Sequence, residues 1–126
     1  MKIYPNVIKH AASVAATSKV VRAKIAAVLF CGGKVYTSAV NTRYDGIEGV
    51  FTLHAEAFLL AKMARLKLKD RLVNKRFGVL VVRWRPSNKS LANSKPCAAC
   101  QILLRKAGLK VYYSDSDGEI QELRHG

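Results

Sequence analysis

Apolar and polar residues fall along this chain in blocks whose period switches between helical and strand-like, and those blocks predict its elements. From Asn6 to Ser18, Val7, Ile8, Ala11, Val14 and Ala15 lie at helical spacing behind Pro5, with Asn6 placed to cap the first turn. Lys24 to Cys31 is a short apolar run, Gly32-Gly33 supplies a turn, and Lys34 to Val40 alternates β-branched with polar residues, so a hairpin follows. Thr42 to Gly49 contains turn residues without a period and reads as a loop. Thr52 then caps a helix running from Leu53 to about Leu68, which puts His54 in the first turn. Leu59, Leu60, Met63, Ala64 and Leu66 form the buried stripe of that helix, and Lys62, Arg65 and Lys69 form a basic outer one.

Phe77 to Val82 is a continuous apolar run, as expected of a strand covered on both faces, and Arg83-Trp84-Arg85-Pro86 ends it. Ser87 to Lys95, polar and rich in Asn and Ser, reads as a loop delivering Pro96 to the start of another helix. Leu103, Leu104 and Ala107 face inward from that helix, and Gly108 stops it. Lys110 to Tyr113 and Glu119 to Leu123 are strands joined by the turn Ser114 to Gly118. A helix crossover between strands implies parallel pairing in the middle of the sheet, with the two later helices on one face. The short final turn makes the last pair antiparallel.

Length and charge sharpen this picture. A chain of 126 residues is the size of one domain, here expected to span 1–126, and it needs no disulfide support. Its apolar runs are too short for a membrane span, and Met1-Lys2-Ile3-Tyr4-Pro5 does not open a secretory leader. Three cysteines, two of them in one C-x-x-C, suit a reducing compartment, so the expected location is intracellular, cytoplasmic or nuclear. The net charge is +14, and residues 1–44 and 71–114 contain no Asp or Glu. Such a field favours polyanions through phosphate contacts and counterion release. Nucleic acid is therefore the first candidate partner, beside an acidic protein or a merely soluble surface.

The candidate chemistry sits in two stretches. His54 offers an imidazole, Cys97 and Cys100 offer thiols, and together they form a soft donor set suited to Zn²⁺, with the carboxylate of Glu56 alongside. Three protein ligands leave a fourth position open, which distinguishes a catalytic zinc from a structural one. Cys31 reads as a buried thiol; as a fourth ligand it would close the site. His10 has no acid or thiol near it in sequence and reads as a surface or half-buried residue.

His54-Ala55-Glu56 and Pro96-Cys97-Ala98-Ala99-Cys100 match H-x-E followed by P-C-x-x-C, the signature of zinc deaminases. On these motifs and on the order of its elements the chain resembles the cytidine deaminase-like superfamily. The resemblance implies a three-layer α/β fold, with a mixed five-stranded sheet flanked by helices and a C-terminal antiparallel hairpin. It implies that a zinc-activated water attacks the amine-bearing ring carbon while Glu56 moves the protons, and that the Ala55 backbone N–H holds the base carbonyl. Asn41 matches the asparagine that binds the sugar. Arg43 stands where free cytidine deaminases carry a glutamate for the ribose hydroxyl, so it suits a phosphate, unless it is one more exposed arginine. The first ligand is His54, where those enzymes usually present cysteine.

Trp84, Tyr112 and Tyr113, with cations such as Arg85 and Lys95 around them, would make a stacking platform for bases, although strand aromatics more often belong to a core. The expected activity is conversion of cytosine to uracil in single-stranded DNA or RNA. Alternatives are a free CMP or dCMP substrate, adenosine in RNA, or an inactive zinc-stabilised nucleic-acid-binding module. Family members range from monomers to tetramers, so a homo-oligomer stays open.

Overall fold

The computed structural model describes residues 3–20, 23–46, 49–67 and 77–123, and for 43–46 and 49–53 the backbone alone. Helix α1 spans Pro5–Ala16 and is capped at Tyr4, not at Asn6. Proline lacks the N–H that a first helical position leaves unpaired anyway, so Pro5 takes that position and moves the boundary back one residue. Asn6 instead reaches across to the following turn, where its Nδ2 donates to the Gly33 carbonyl at 2.7 Å.

Strands β1 (Lys24–Cys31) and β2 (Lys34–Val40) form the expected antiparallel hairpin. Its turn uses Gly32 at φ 58°, a left-handed conformation open to glycine at little strain. The register slips between Leu29 and Phe30, so Tyr36 becomes the extra residue of a bulge.

The expected loop after Asn41 is instead a second hairpin. Strands β3 (Thr42–Gly46) and β4 (Gly49–Leu53) pair antiparallel, Thr42 opposite Leu53 and Gly46 opposite Gly49. Pairing of Thr52 and Leu53 into this ladder delays the next helix, so α2 runs Ala55–Arg65 with His54 at its N-cap, replacing the expected Thr52 cap. Strand β5 (Gly78–Arg85) runs past the expected stop, because β6 (Ser90–Ala92) folds back and pairs with Arg83, Trp84 and Arg85. Helix α3 (Ala98–Lys106), strand β7 (Lys110–Ser114) and strand β8 (Ile120–Glu122) complete the chain. Helix α3 ends in a Schellman motif: Gly108, at φ 72°, donates to the Arg105 carbonyl at 3.0 Å and Leu109 to that of Leu104 at 3.4 Å.

The main sheet has the order β2-β1-β5-β7-β8, with β6 added to β5. β5 pairs antiparallel with β1 and parallel with β7, and β7 pairs antiparallel with β8. This is the mixed sheet and antiparallel C-terminal hairpin expected above, with β6 a sixth strand where five were expected. Strand alternation sends Leu80 and Val82 of β5 to one face, where they meet Val7, Ala11 and Ala15 of α1. Val79 and Val81 go to the other face and meet Leu59 and Met63 of α2 and Leu104 of α3. The sheet is thus a shared middle layer.

The buried stripes are narrower than the sequence suggested. Ala64, Leu66 and Leu103 are exposed, while Lys62 is half-buried and donates from Nζ to the Ser38 carbonyl at 2.6 Å. Lys69 lies outside the described residues. Among the described residues no helix is long and apolar enough to cross a membrane.

Candidate metal centre

Both helices on the second face begin with a residue that could cap them and does not. His54 precedes α2 with φ −76° and ψ 142°, and Cys97 precedes α3 with φ −67° and ψ 165°. These are ordinary extended N-cap conformations, yet neither side chain bonds back to its own helix. Both side chains turn instead to a common point at the end of the sheet. Cys100, one turn into α3, joins them from a buried position.

His54 Nδ1 lies 3.2 Å from Cys100 Sγ and 3.6 Å from Cys97 Sγ. The three donor atoms are all within 4.8 Å of one another. Metal–sulfur bonds of about 2.3 Å and metal–nitrogen bonds of about 2.0 Å give tetrahedral N···S edges of about 3.5 Å. The two N···S separations therefore suit one zinc ion shared by Nδ1 and the two sulfurs. Among the described residues the cluster has these three members, and Cys31, half-buried at the end of β1, is not one of them.

Glu56 is 4% exposed, an unusual place for a carboxylate. Burial pushes the Cys100 thiol well above the ordinary cysteine range, and the Glu56 charge, then a hydrogen bond with Cys97 and the Cys97 charge, and last a hydrogen bond that the thiol donates to Glu56, push it further. These causes place the carboxylate against the cluster. A coordinated divalent cation inverts that electrostatic logic, because a ligating thiol is deprotonated outright. The start of α2 adds N–H groups with no acceptor inside the helix, Ala55 among them, and the positive end of the helix dipole.

Asn41 stands at the same end of the sheet, 3% exposed. Its Oδ1 accepts from the Ile25 N–H at 3.0 Å and from Ser18 Oγ at 2.7 Å, and its Nδ2 donates to the Ala23 carbonyl at 2.6 Å. That leaves one Nδ2 hydrogen to offer a ligand. Arg43 belongs to β3, and its side chain lies outside the described part of the structure.

The aromatic platform is not assembled. Tyr112 is buried on the α1 face with its ring centroid 6.0 Å from that of Phe30, and Trp84 packs into the same cluster. Tyr113 alone points to the face that carries α2 and α3. The pleat is the reason: neighbours on a strand point to opposite faces, so Tyr112 and Tyr113 cannot share one surface. The same alternation aligns Arg83 and Arg85 with Val79 and Val81, on the face with the donor cluster. His10 is exposed on α1. The sequence reading missed Ser94 and Ser114, both buried beside the metal-bearing turn. Serines in a polar stretch carry no periodic signal of burial.

The family described as the cytidine and deoxycytidylate deaminase zinc-binding region matches residues 1–114, and the chain belongs to it. Three solved structures share the fold. A dCMP deaminase from the cyanophage S-TIM5 in apo form has a TM-score of 0.62 at 22% identity, over 90% of this chain and 86% of its own. A cytidine deaminase from Burkholderia pseudomallei has a TM-score of 0.62 at 19% identity, over 96% and 92%. The cyanophage enzyme in complex with dCMP and dUMP has a TM-score of 0.56 at 20% identity, over 91% and 85%. Among curated proteins, none matches by sequence.

Proposed function

We propose that the protein is a zinc-dependent hydrolytic deaminase that converts cytosine to uracil in single-stranded nucleic acid, consuming water and releasing ammonia. The observation that carries the activity is Glu56: a buried carboxylate beside Cys100, one of three side chains gathered within reach of a single ion. Zinc held by His54, Cys97 and Cys100 supplies a Lewis acid that brings the pKa of a water to about 7. Glu56 takes one proton from the attacking water and delivers it to the ring nitrogen, then takes the second from the new hydroxyl on the ring carbon and hands it to the amine, which leaves as ammonia as the carbonyl forms. The Ala55 N–H, without an acceptor inside its helix, receives the base carbonyl. Asn41 offers its remaining amide hydrogen to the sugar, and Arg43 suits a phosphate.

Support for a polynucleotide comes from charge. Arg83, Arg85 and Lys95 belong to the strand end and loop that lead into α3, in a chain of net charge +14. One observation favours a free nucleotide such as dCMP or CMP: two of the three rings expected to stack on flanking bases lie on the opposite face. Salt separates the two. With several phosphate contacts, deamination of single-stranded DNA or RNA falls steeply between about 50 and 200 mM salt, while deamination of dCMP changes little. Uracil formed only from mononucleotides, with a flat salt response, overturns the polynucleotide reading.

A further inference from the structure

We propose that Ser94 and Ser114 form a buried clasp that presets Cys97 for the metal before any metal arrives. Both are positioning residues; neither touches the donor cluster. Ser94 is 6% exposed and Ser114 0%, and each lies where polar side chains are tolerated only when paired. Their pairing is reciprocal. The Ser94 N–H donates to the Ser114 carbonyl at 2.8 Å, and the Ser114 N–H donates to Ser94 Oγ at 3.0 Å. The two hydroxyls are 2.9 Å apart. Ser94 Oγ is also 2.7 Å from the Val81 carbonyl, and Ser114 Oγ is 2.6 Å from the Ala92 carbonyl. The Arg83 N–H approaches Ser114 Oγ at 3.4 Å.

This network ties the interior of β5 to the ends of β6 and β7 three residues before Cys97. On the far side of Cys97, Gln101 Nε2 donates to the Pro96 carbonyl at 2.8 Å. Between these holds the chain has only Lys95 and the buried Pro96, whose ring fixes its own φ. The first turn of α3 is therefore fixed on both sides by bonds that do not need the ion. Unlike the first ligand, which follows a strand directly, Cys97 follows a polar stretch with no period of its own, and there the clasp substitutes for a ladder.

Each hydroxyl carries one proton, so removing either strands a buried carbonyl or N–H of its partner strands. The loss falls on the backbone that aims Cys97. Outer groups that orient a ligand typically change metal affinity by about 10- to 100-fold.

The test is zinc affinity by competition with a chromogenic chelator, and the visible spectrum of the cobalt-substituted protein, for Ser94→Ala, Ser114→Ala and the double variant. Either single variant is expected to weaken zinc about 10- to 100-fold and to lower the intensity of the tetrahedral cobalt bands, and the double variant little more than either. The control is Val7→Ala, buried under α1 on the opposite face, which lowers the melting temperature and leaves zinc affinity within about twofold. Wild-type affinity in the serine variants overturns the proposal, as does equal weakening in the control.

Should the serine variants not fold, hydrogen exchange on the unaltered protein decides. The Ser94 and Ser114 amides are expected to be protected equally in the zinc-free and zinc-loaded forms, and protection acquired only with zinc overturns the clasp as a preset device. Deamination enters neither readout, so a protein inactive on every nucleobase leaves this inference standing or falling by itself.

Discussion

Strand β5 lends alternate residues to two layers that differ in kind. Under α1 the buried partners of Leu80 and Val82 are Val7, Ala11, Ala15, Ala26, Val28 and Phe30, and among the described residues the Tyr112 hydroxyl is the buried side-chain polar atom left without a hydrogen-bond partner. Under α2 and α3 the partners of Val79 and Val81 are as apolar in the middle, with Leu59, Met63 and Leu104. The difference lies at the helix starts. One layer opens on Tyr4 and Pro5; the other opens twice on an uncommitted N-cap, followed by a buried Glu56 and a buried Cys100. Chemistry is placed where helices begin because backbone N–H groups and the dipole are unspent there, while the layer's apolar middle keeps the framework rigid.

The largest effect that can break this contrast is at Glu56. Glu56→Gln keeps the size and hydrogen-bonding reach of the side chain and removes the proton carrier. Deamination is expected to fall about 10²- to 10⁴-fold while zinc content and circular dichroism stay unchanged. A rate within tenfold of the wild type would remove Glu56 from the mechanism. Next comes Cys100→Ser, which exchanges a soft donor for a hard one. It is expected to abolish zinc retention through gel filtration, read by atomic absorption, with the α1 layer still folded.

Core substitutions sharpen the same contrast at a matched cost. Leu104 and Leu80 are both fully buried, one in each layer. Changing either to alanine is expected to lower the unfolding free energy by about 2–5 kcal/mol in urea denaturation. The two should part on metal: Leu104→Ala loosens the seat of α3 and weakens zinc, and Leu80→Ala leaves zinc affinity intact. Equal weakening in both would mean that the layers are not separable.

How far the sequence spoke for the fold follows the same division. The hairpin of β1 and β2 was legible to the residue, because an apolar run, a Gly-Gly turn and an alternating run each carry their own signal. The strand after Phe77 was legible for the same reason, and so was the gathering of His54, Cys97 and Cys100, since metal chemistry restricts residue type and spacing more tightly than burial does. What stayed hidden depended on a partner elsewhere in the chain. Arg43 pairs with Thr52 and Tyr44 with Phe51, and among the described residues these two strands form a sheet by themselves, which a stretch of turn residues without a period does not announce. The limit of α2 followed from that pairing. Ser90 to Ala92 becomes a strand only because β5 offers an edge. For Tyr112 and Trp84 the sequence left platform and core both open, because composition gives an aromatic no face; the pleat does, and it puts both with α1.

The smallest effect in view tests that last point. Tyr112 is 4% exposed, and its hydroxyl, enclosed by the α1 layer, has no hydrogen-bond partner. Burial, with the Glu122 charge across the strand pair adding to it, holds its ionisation above the ordinary 10.0. A phenol kept neutral in the folded chain stabilises it fully below the unfolded value, where both states are neutral. As pH rises past 10 the unfolded state releases its proton first, so the unfolded state binds fewer protons and stability falls. Tyr112→Phe removes both the unpaired hydroxyl and this alkaline loss. The variant is expected to be as stable as the wild type at pH 7 or more stable by about 1 kcal/mol, with a shallower decline above pH 10, read by urea denaturation at stepped pH. Deamination at pH 7 should not change, because the ring faces α1 and not the metal. A drop in activity without a drop in stability would return Tyr112 to the substrate side of the sheet and undo the contrast between its two faces.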